Sequence, residues 1–457
     1  MCLSAHELKL LGIDMWHADA QDLALYVIDH WGDTRLSGLS RVGDCGSGDS
    51  LPDRDTLYHL ISCCYQASLM REENRPVRFR LILREPKCFD SKDGPPKGLH
   101  RLLFSEPQPF DEYKLQRLSP AAGFYRSLIG VTLGDNDGLQ IWGIVHSGSR
   151  WIQNVYGGRM IAPALPLSLV VYVTDPGRIT VCKGPSTIAT LNRGQIVSPA
   201  HEVFDSAWLP TGFASVHSRL WKLHLAAKNA AKKPWADLDP GIVNTIAQQV
   251  ARRIISYVRN SGHGGTILVI PPEMVEQVFE EHSYLTIEYR VTDEATRKRF
   301  QTLLLNLMNT LAEVYGRKAK TGKPVGWDEY VAGREEAFAL LDEAVFELAH
   351  LFADLTSVDG AVVFTEGFQL LGFGAMVSGE LKGARTVARA LDIEGLHKEQ
   401  VHPGSFGSRH RSAFRFCNAV HEAIAIVISQ DRLVRFVKWK DGVVTYWEHV
   451  ATSIMDF

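Results

Sequence analysis

The chain has 457 residues, 45% of them hydrophobic and 22% charged, with a net charge of −3. That is enough apolar material for two or three packed domains, and the near-neutral balance excludes a general nucleic-acid or membrane-surface binder, which needs clustered basic surface. No apolar run approaches the roughly 20 residues of a membrane span, and the start MCLSAHELKLLGIDMW lacks a basic segment followed by an apolar core, so a cytoplasmic protein without a membrane anchor is expected.

The first ~100 residues open with helical periodicity and contain one clear helix near Asp55 to Glu73, then the strand-like RPVRFRLILRE, in which arginines alternate with apolar residues. PKCFDSKDGPPKG breaks that pattern with proline and glycine and reads as a loop. From about Leu99 to Val203 short β-type runs (SLIGVTL, LQIWGIVHSG, LSLVVYVT) are separated by the turn signals GDNDG, GG and DPG, the signature of a β-rich module. Helices and strands alternate afterwards. Asp239 as N-cap and Pro240 at the first helical position open a helix whose Ile242, Ile246, Val250, Ile254 and Val258 share a face; SGHGG closes it and TILVIP follows as a buried strand. A second amphipathic helix runs from about Asp293 to Tyr315, a basic loop GRKAKTGKPVG follows, and a third helix covers about Glu335 to Leu355. The last hundred residues read as strand DGAVVF, strand FQLLGFGAMV, a loop, a helix from Ser408, strand AIAIVIS, and a hairpin LVRFVKWKDGVVTYWE turned by Asp441-Gly442.

Seven cysteines (Cys2, Cys45, Cys63, Cys64, Cys88, Cys182, Cys417) without CxxC spacing support neither a disulfide framework nor a zinc site, and read as reduced core residues. The histidines at 146, 201, 217 and 263 are scattered without ligand spacing. SGHGGTILV has the glycines of a phosphate loop but the wrong order, helix then glycines then strand, so the glycines read as a helix C-cap. GSFGSRHRSAFRF is different. With Ser408 as N-cap, Arg409, His410 and Arg411 fall at a helix N-terminus, where the macrodipole already disfavours positive charge. Two guanidinium groups, an imidazole and free amides there form a donor set suited to a polyphosphate; the plain alternative is one arginine paired with a carboxylate and the rest solvated. At SVDGAVVF, Asp359 sits where a helix hands over to an apolar strand, where an acid can bind a divalent metal or help deprotonate a hydroxyl, and Gly360-Ala361 leave the backbone bare for a flat ring; the plain alternative, which prevails for this segment taken singly, is a simple turn aspartate.

Together, DGAVVF (Asp359 to Phe364), GSRHRSA (Gly407 to Ala413) and AIAIVISQD (Ala423 to Asp431) resemble the diadenylate cyclase domain, the nucleotidyltransferase-like domain of the DNA-integrity scanning protein DisA and its relatives, over about residues 330 to 457. Upstream, YQASLMREENRPVRFRLIL and the β-rich stretch behind it resemble the DACNV module, a predicted sensor region found before such domains. The resemblance implies an α/β chain: an α+β or β-rich sensor region at 1–205, an α/β connecting region at 206–325, and a cyclase domain at 326–457 with a mixed sheet flanked by helices. It implies condensation of two ATP into cyclic di-AMP with release of two pyrophosphates, assisted by Mg²⁺ or Mn²⁺, in a homodimer whose cyclase domains face each other. Asp359, Arg409, His410 and Arg411 would then be catalytic. Gly360, Ala361, Gly407, Ser408 and Ser429 would join those three cationic residues around ATP, and Asp359 with Asp431 would hold metal.

Two departures stand out. Family members commonly carry Ser-Glu-Glu where this chain has Ser429-Gln430-Asp431, so the acidic role falls on a shorter side chain, and Ser408 replaces a common Thr. The DNA-binding helical region of DisA has no counterpart, so no DNA binding is expected. The alternative reading is a catalytically inactive protein that senses a nucleotide or cyclic dinucleotide.

Overall fold

The computed structural model describes residues 17–32, 51–89, 92, 94–95, 98–134, 138–149, 165–184, 186–192, 194–197, 203–211, 214–279, 284–316, 324–333, 335–430 and 433–449. The chain divides near residue 199 into two compact units, each a mixture of helices and sheet.

In the first unit, helix α1 (Ala20–His30) is started by Asp19, whose carboxylate accepts from the amides of Gln21 and Asp22 while Asp22 answers back to the Asp19 amide. Helix α2 (Arg54–Leu69) is capped by Asp53 in the same manner and ends one turn short of the Glu73 expected. The strands are β1 (Phe79–Leu83), β2 (His100–Pro109), β3 (Ser127–Leu133), β4 (Leu139–His146), β5 (Leu169–Asp175), β6 (Arg178–Lys183), β7 (Ser186–Asn192) and β8 (Gln195–Val197), with helix α3 (Glu112–Leu118) after β2. They form one sheet in the order β8-β7-β6-β5-β1-β3-β4-β2, antiparallel except for the β1–β3 pair. Alternation sorts their side chains: Phe79, Leu81, Val171, Val173, Ile179 and Val181 pack on Leu57, Leu60, Ile61 and Cys64 of α2. Cys63 and Cys64 are therefore core residues with free thiols, as the helical reading anticipates.

The second unit is built on a nine-stranded sheet. Its helices are α4 (Ala214–Ala230), α5 (Ile242–Ser261), α6 (Arg299–Gly316), α7 (Glu336–Leu355) and α8 (Ser408–Ala419). Its strands are β9 (Gly265–Ile270), β10 (Leu285–Arg290), β11 (Ala361–Thr365), β12 (Leu370–Val377), β13 (Val387–Ala390), β14 (Lys398–Val401), β15 (Ile424–Ile428), β16 (Val434–Lys440) and β17 (Val443–His449), in the order β10-β12-β11-β9-β15-β16-β17-β13-β14. The β9–β11 and β13–β17 pairs are parallel and the rest antiparallel. Both faces of the central strands are covered. Ile267, Val269, Val362, Phe364, Ile424 and Ile426 face α5, α6 and α7, while Leu268, Ile270, Val363, Ala425 and Val427 face Ala413, Phe414, Phe416 and Cys417 of α8. Burial from two sides is why TILVI and AIAIVI read as continuous apolar runs rather than alternating ones.

Residues 206–325 do not form a body apart from 326–457. They supply the sheet's β9 and β10 together with α4, α5 and α6, which share a core with α7 and β11, so the 325/326 boundary expected from the motifs falls inside one compact unit. The stretch expected as a loop before Ser408 contains the β13–β14 hairpin; VARA and KEQV are too short and too poor in strand formers to signal strands, and they pair at the end of the sheet. The final hairpin turns as expected, with Asp441 and Gly442 both at positive φ (51° and 83°). Helix α5 opens at Ile242, with the Asp239 carboxylate accepting from the Gly241 amide rather than capping from the position next to Pro240.

Helices α5 and α7 are joined by a buried ion pair, Arg253 Nη2 to Asp342 Oδ1 at 3.2 Å, with the Tyr330 hydroxyl also donating to Asp342. Removing one partner of such a pair leaves a charge in a dry place, at a cost of about 3 kcal/mol. Asp342→Ala should therefore lower the unfolding free energy of the second unit, read from guanidinium titration, by an amount of that order, while Asp342→Asn, which keeps an acceptor, should cost less.

Candidate functional site

The starts of β9 and β11 lie side by side, Thr266 opposite Ala361, and the end of β15 lies beside β9, with Ile428 opposite Gly265. Neighbouring strands are about 4.8 Å apart, so the Asp359-Gly360 turn, the His263-Gly264 turn and Ser429 share one end of the sheet within about 10 Å. Helix α8 begins at the same end: the Arg409 guanidinium donates to the His263 carbonyl (3.1 Å), and a Cβ on Gly264 would stand 2.8 Å from that guanidinium and 2.7 Å from the Ile428 carbonyl. The glycines of SGHGG do end a helix, with Gly262 in the left-handed region at φ 75°. They also form the floor on which Arg409 rests, a second role that the helix–glycine–strand order conceals.

Asp359 is exposed, and its carboxylate accepts from the Gly360 amide at 3.1 Å. Gly360 has φ 108°, and a Cβ there would lie 2.7 to 2.9 Å from the backbone of Gly374 and Ala375 on β12. Only glycine fits that approach. Ala361 is buried in the sheet, so it lines the turn from below. Gly374 is also left-handed (φ 64°) and borders the ring of Tyr289, which stacks on Phe373 with centroids 4.8 Å apart. Tyr289 is half exposed, which gives the end of the sheet an aromatic ledge beside the Gly360–Gly374 contact.

Helix α8 takes Gly407, not Ser408, as its N-cap, and no side chain caps it. Ser408 becomes the first helical residue and is exposed; a Cβ on Gly407 would meet nothing within 4 Å. The amides of the first turn are thus open donors beside an unobstructed backbone. Successive helical residues point about 100° apart, and the RHR triplet is split accordingly. Arg409 turns toward the His263 turn and Arg411 is exposed. His410 is buried, with Arg435 Nη1 donating to its Nε2 at 3.0 Å. Since a guanidinium can only donate, that imidazole nitrogen is an unprotonated acceptor. Burial, then Arg435, then Arg409 bring its pKa from an ordinary 6.5 down to about 4. Arg435 is held in turn by Glu448 (Nη2 to Oε1, 2.9 Å) and lies over the rings of Phe406 and Tyr446. His410 therefore stands among the helix's supports rather than beside Arg411.

The Ser429 amide donates to the Leu433 carbonyl (2.9 Å) and its hydroxyl accepts from the Leu433 amide (3.2 Å), which leaves the hydroxyl hydrogen to donate. Asp431 lies outside the described residues. Among the described residues no three His, Cys, Asp or Glu side chains gather as a metal site. Asp359 nevertheless fits a hard divalent cation that takes one or two carboxylates and completes its shell with substrate phosphates and water. The arrangement supplies a carboxylate, open helix amides, two arginines, a hydroxyl and an aromatic ledge around bare glycine backbone: the donors for a polyphosphate and a surface for a flat ring.

Gly374, Tyr289, Arg435 and Glu448 are absent from the residues the motifs single out, and His263 and Gly264 lie in the SGHGG run read only as a helix cap. Gly374 has a signal, a glycine inside an apolar strand run; the others become neighbours only through strand pairing.

Residues 47–146 match the family model of the probable sensor domain DACNV. No curated protein matches the chain, and no described helix is long and apolar enough to cross a membrane.

Two outcomes follow from this geometry. Gly360→Ala forces a Cβ against the β12 backbone and should cost about 2 kcal/mol or more, seen as a lower melting temperature. His410 gains its proton far more easily unfolded than folded, so its contribution is complete above about pH 6.5 and is lost as pH falls toward 4, up to about 3 kcal/mol. Denaturant titrations across that window should show the loss, and His410→Gln should flatten it.

Proposed function

We propose that the second unit is a diadenylate cyclase that joins two ATP into cyclic di-AMP, and that the first unit, through its DACNV-like region, makes that activity responsive to a signal. The observation that carries the reading is the convergence of Asp359-Gly360, the Arg409-bearing end of α8 and Ser429 at one end of the sheet.

The chemistry assigned to each group follows from its position. The open amides of α8, with Arg409 and Arg411, take up the triphosphate charge, and charge placed there before reaction needs no reorganisation during it. Asp359 receives the proton of the 3′-hydroxyl. The hydroxyl oxygen bonds to the α-phosphorus of the other ATP as the bond to pyrophosphate breaks. A divalent ion, Mg²⁺ or Mn²⁺, bound by Asp359 and Asp431 would screen the phosphate oxygens and lower the pKa of the hydroxyl. Gly360, Gly407 and Gly374 keep side chains out of the space, and the Tyr289–Phe373 stack offers a face for the base. His410 positions Arg409 and Arg411 from behind, by anchoring α8 to Arg435. Each site holds one ATP, so closing the ring requires two sites face to face across a two-fold axis, a homodimer.

Incubation of the full chain with ATP and Mn²⁺, followed by mass spectrometry, should give cyclic di-AMP and pyrophosphate. Asp359→Asn should abolish the product, and Arg409→Ala should reduce kcat/KM by about a hundredfold, the scale of losing one preorganised charge donor. Tight ATP binding without product in the wild type would support the non-catalytic nucleotide sensor instead. Activity per protomer should fall on dilution below the dimer affinity; a constant value in a demonstrated monomer would sink the facing-site reaction.

A further inference from the structure

The first unit contains a cleft of about 470 Å³ between the start of α2 and the ends of β2 and β4, walled by Asp55, Thr56, His59, Phe110, Leu139 and Gln140. Its size lies within the range of small-molecule sites, and all of its wall lies inside the stretch that matches the sensor-domain model. We propose that this cleft is the sensor's ligand site and that it takes a small amphipathic cation, an organic ammonium with an apolar body.

The charge argument starts from the helix end. A helix N-terminus by itself favours anions, but here Asp53 already satisfies it, accepting from the amides of Asp55 and Thr56 and from the Thr56 hydroxyl. Asp55 is then a surplus carboxylate in the wall: it is exposed, and it accepts no hydrogen bond among the described residues. The surroundings are acidic too. Burial first, then Glu112 and Asp111, push the thiol of Cys63, one turn from His59, up to about 11. Lys114 keeps a positive charge nearby, its Nζ donating to the side-chain Oε1 of Gln108 at 3.0 Å, but it is not part of the cleft wall. Part of the wall is apolar: Phe110 and Leu139 are buried residues that line the cleft, and the Phe110 ring meets His59 edge to face. Gln140 adds a neutral polar group at the rim. A carboxylate and an aromatic side chain in one cleft wall are the groups that hold an ammonium by charge and by the ring, and its substituent by burial.

The proposal gives the sensing part of the functional reading a ligand class, and its test does not use catalysis. Phenylethylamine is titrated into the full chain and followed by saturation-transfer NMR, with 3-phenylpropionate as the anionic counterpart of similar shape. The expected result is saturable binding of the amine in the millimolar range or tighter, about tenfold weakening in Asp55→Asn, and no saturable binding of the anion. Asp55 is exposed and Asp53 does the capping, so the variant should fold as the wild type does, which circular dichroism checks. Failure of the amine to saturate, equal binding to Asp55→Asn, or equal binding of the anion would overturn the proposal. None of these outcomes touches ATP turnover, so a failure here and a failure of the cyclase reading are told apart.

Discussion

Strands β9 and β11 run parallel, with Thr266 beside Ala361 and Ile270 beside Thr365, and a parallel pair necessarily brings both strand starts to the same end of a sheet. That pairing puts the turn after α5 against the turn after α7. The antiparallel pairing of β15 with β9 then delivers Ser429 to the same place. The pairing is enforced by burial on both faces: helices α5 to α7 cover one and α8 the other, and a one-residue slip would exchange the two side-chain sets. Residues nearly 170 positions apart, His263 to Ser429, are neighbours because no other register satisfies both cores.

The cations at the start of α8 are held by division of labour. Three positive groups in sequence at a helix N-terminus would repel one another and the dipole. The fold makes one of them neutral. Burial and Arg435 suppress protonation of His410, and Arg435 is itself compensated by Glu448 and by the faces of Phe406 and Tyr446. Arg409 keeps its charge and rests on a carbonyl, and Arg411 keeps its charge in solvent. What remains for an anion is two guanidinium groups and the uncapped amides, on a helix anchored from behind.

Much of this was legible in the residues. Apolar periodicity and the Asp441-Gly442 turn announced most helices, the central strands and the last hairpin, because each depends on local chemistry, while the caps expected at Asp239 and Ser408 fall on Gly241 and Gly407 instead. Strands β13 and β14 were not legible, since VARA and KEQV are only four residues long and carry weak patterns, whereas the alternation of LTIEYR does signal β10. The extent of the second unit was hidden for the same reason that the floor of the site was: motifs mark residues 359 to 431, whereas β9 enters between β11 and β15 from far upstream. Arg409, Arg411 and Asp359 were read from charge at element ends. The inward turn of His410 required knowing which side of α8 the sheet occupies, and that is a property of packing, not of the triplet.

The acid inventory at the sheet end shapes the metal question. Gln430 stands where the resemblance to diadenylate cyclase domains leads one to expect a carboxylate, and its backbone nitrogen lies close to Gly264, in the turn that supports Arg409. With Asp359 as the described carboxylate there, the free site presents little negative charge to a cation and two exposed or part-exposed arginines against it. A divalent ion held by so few acids needs other oxygen ligands, and triphosphate oxygens are the ones that also relieve the arginines. On the cyclase reading, metal and nucleotide therefore bind with strong mutual dependence, each supplying the charge that the other lacks.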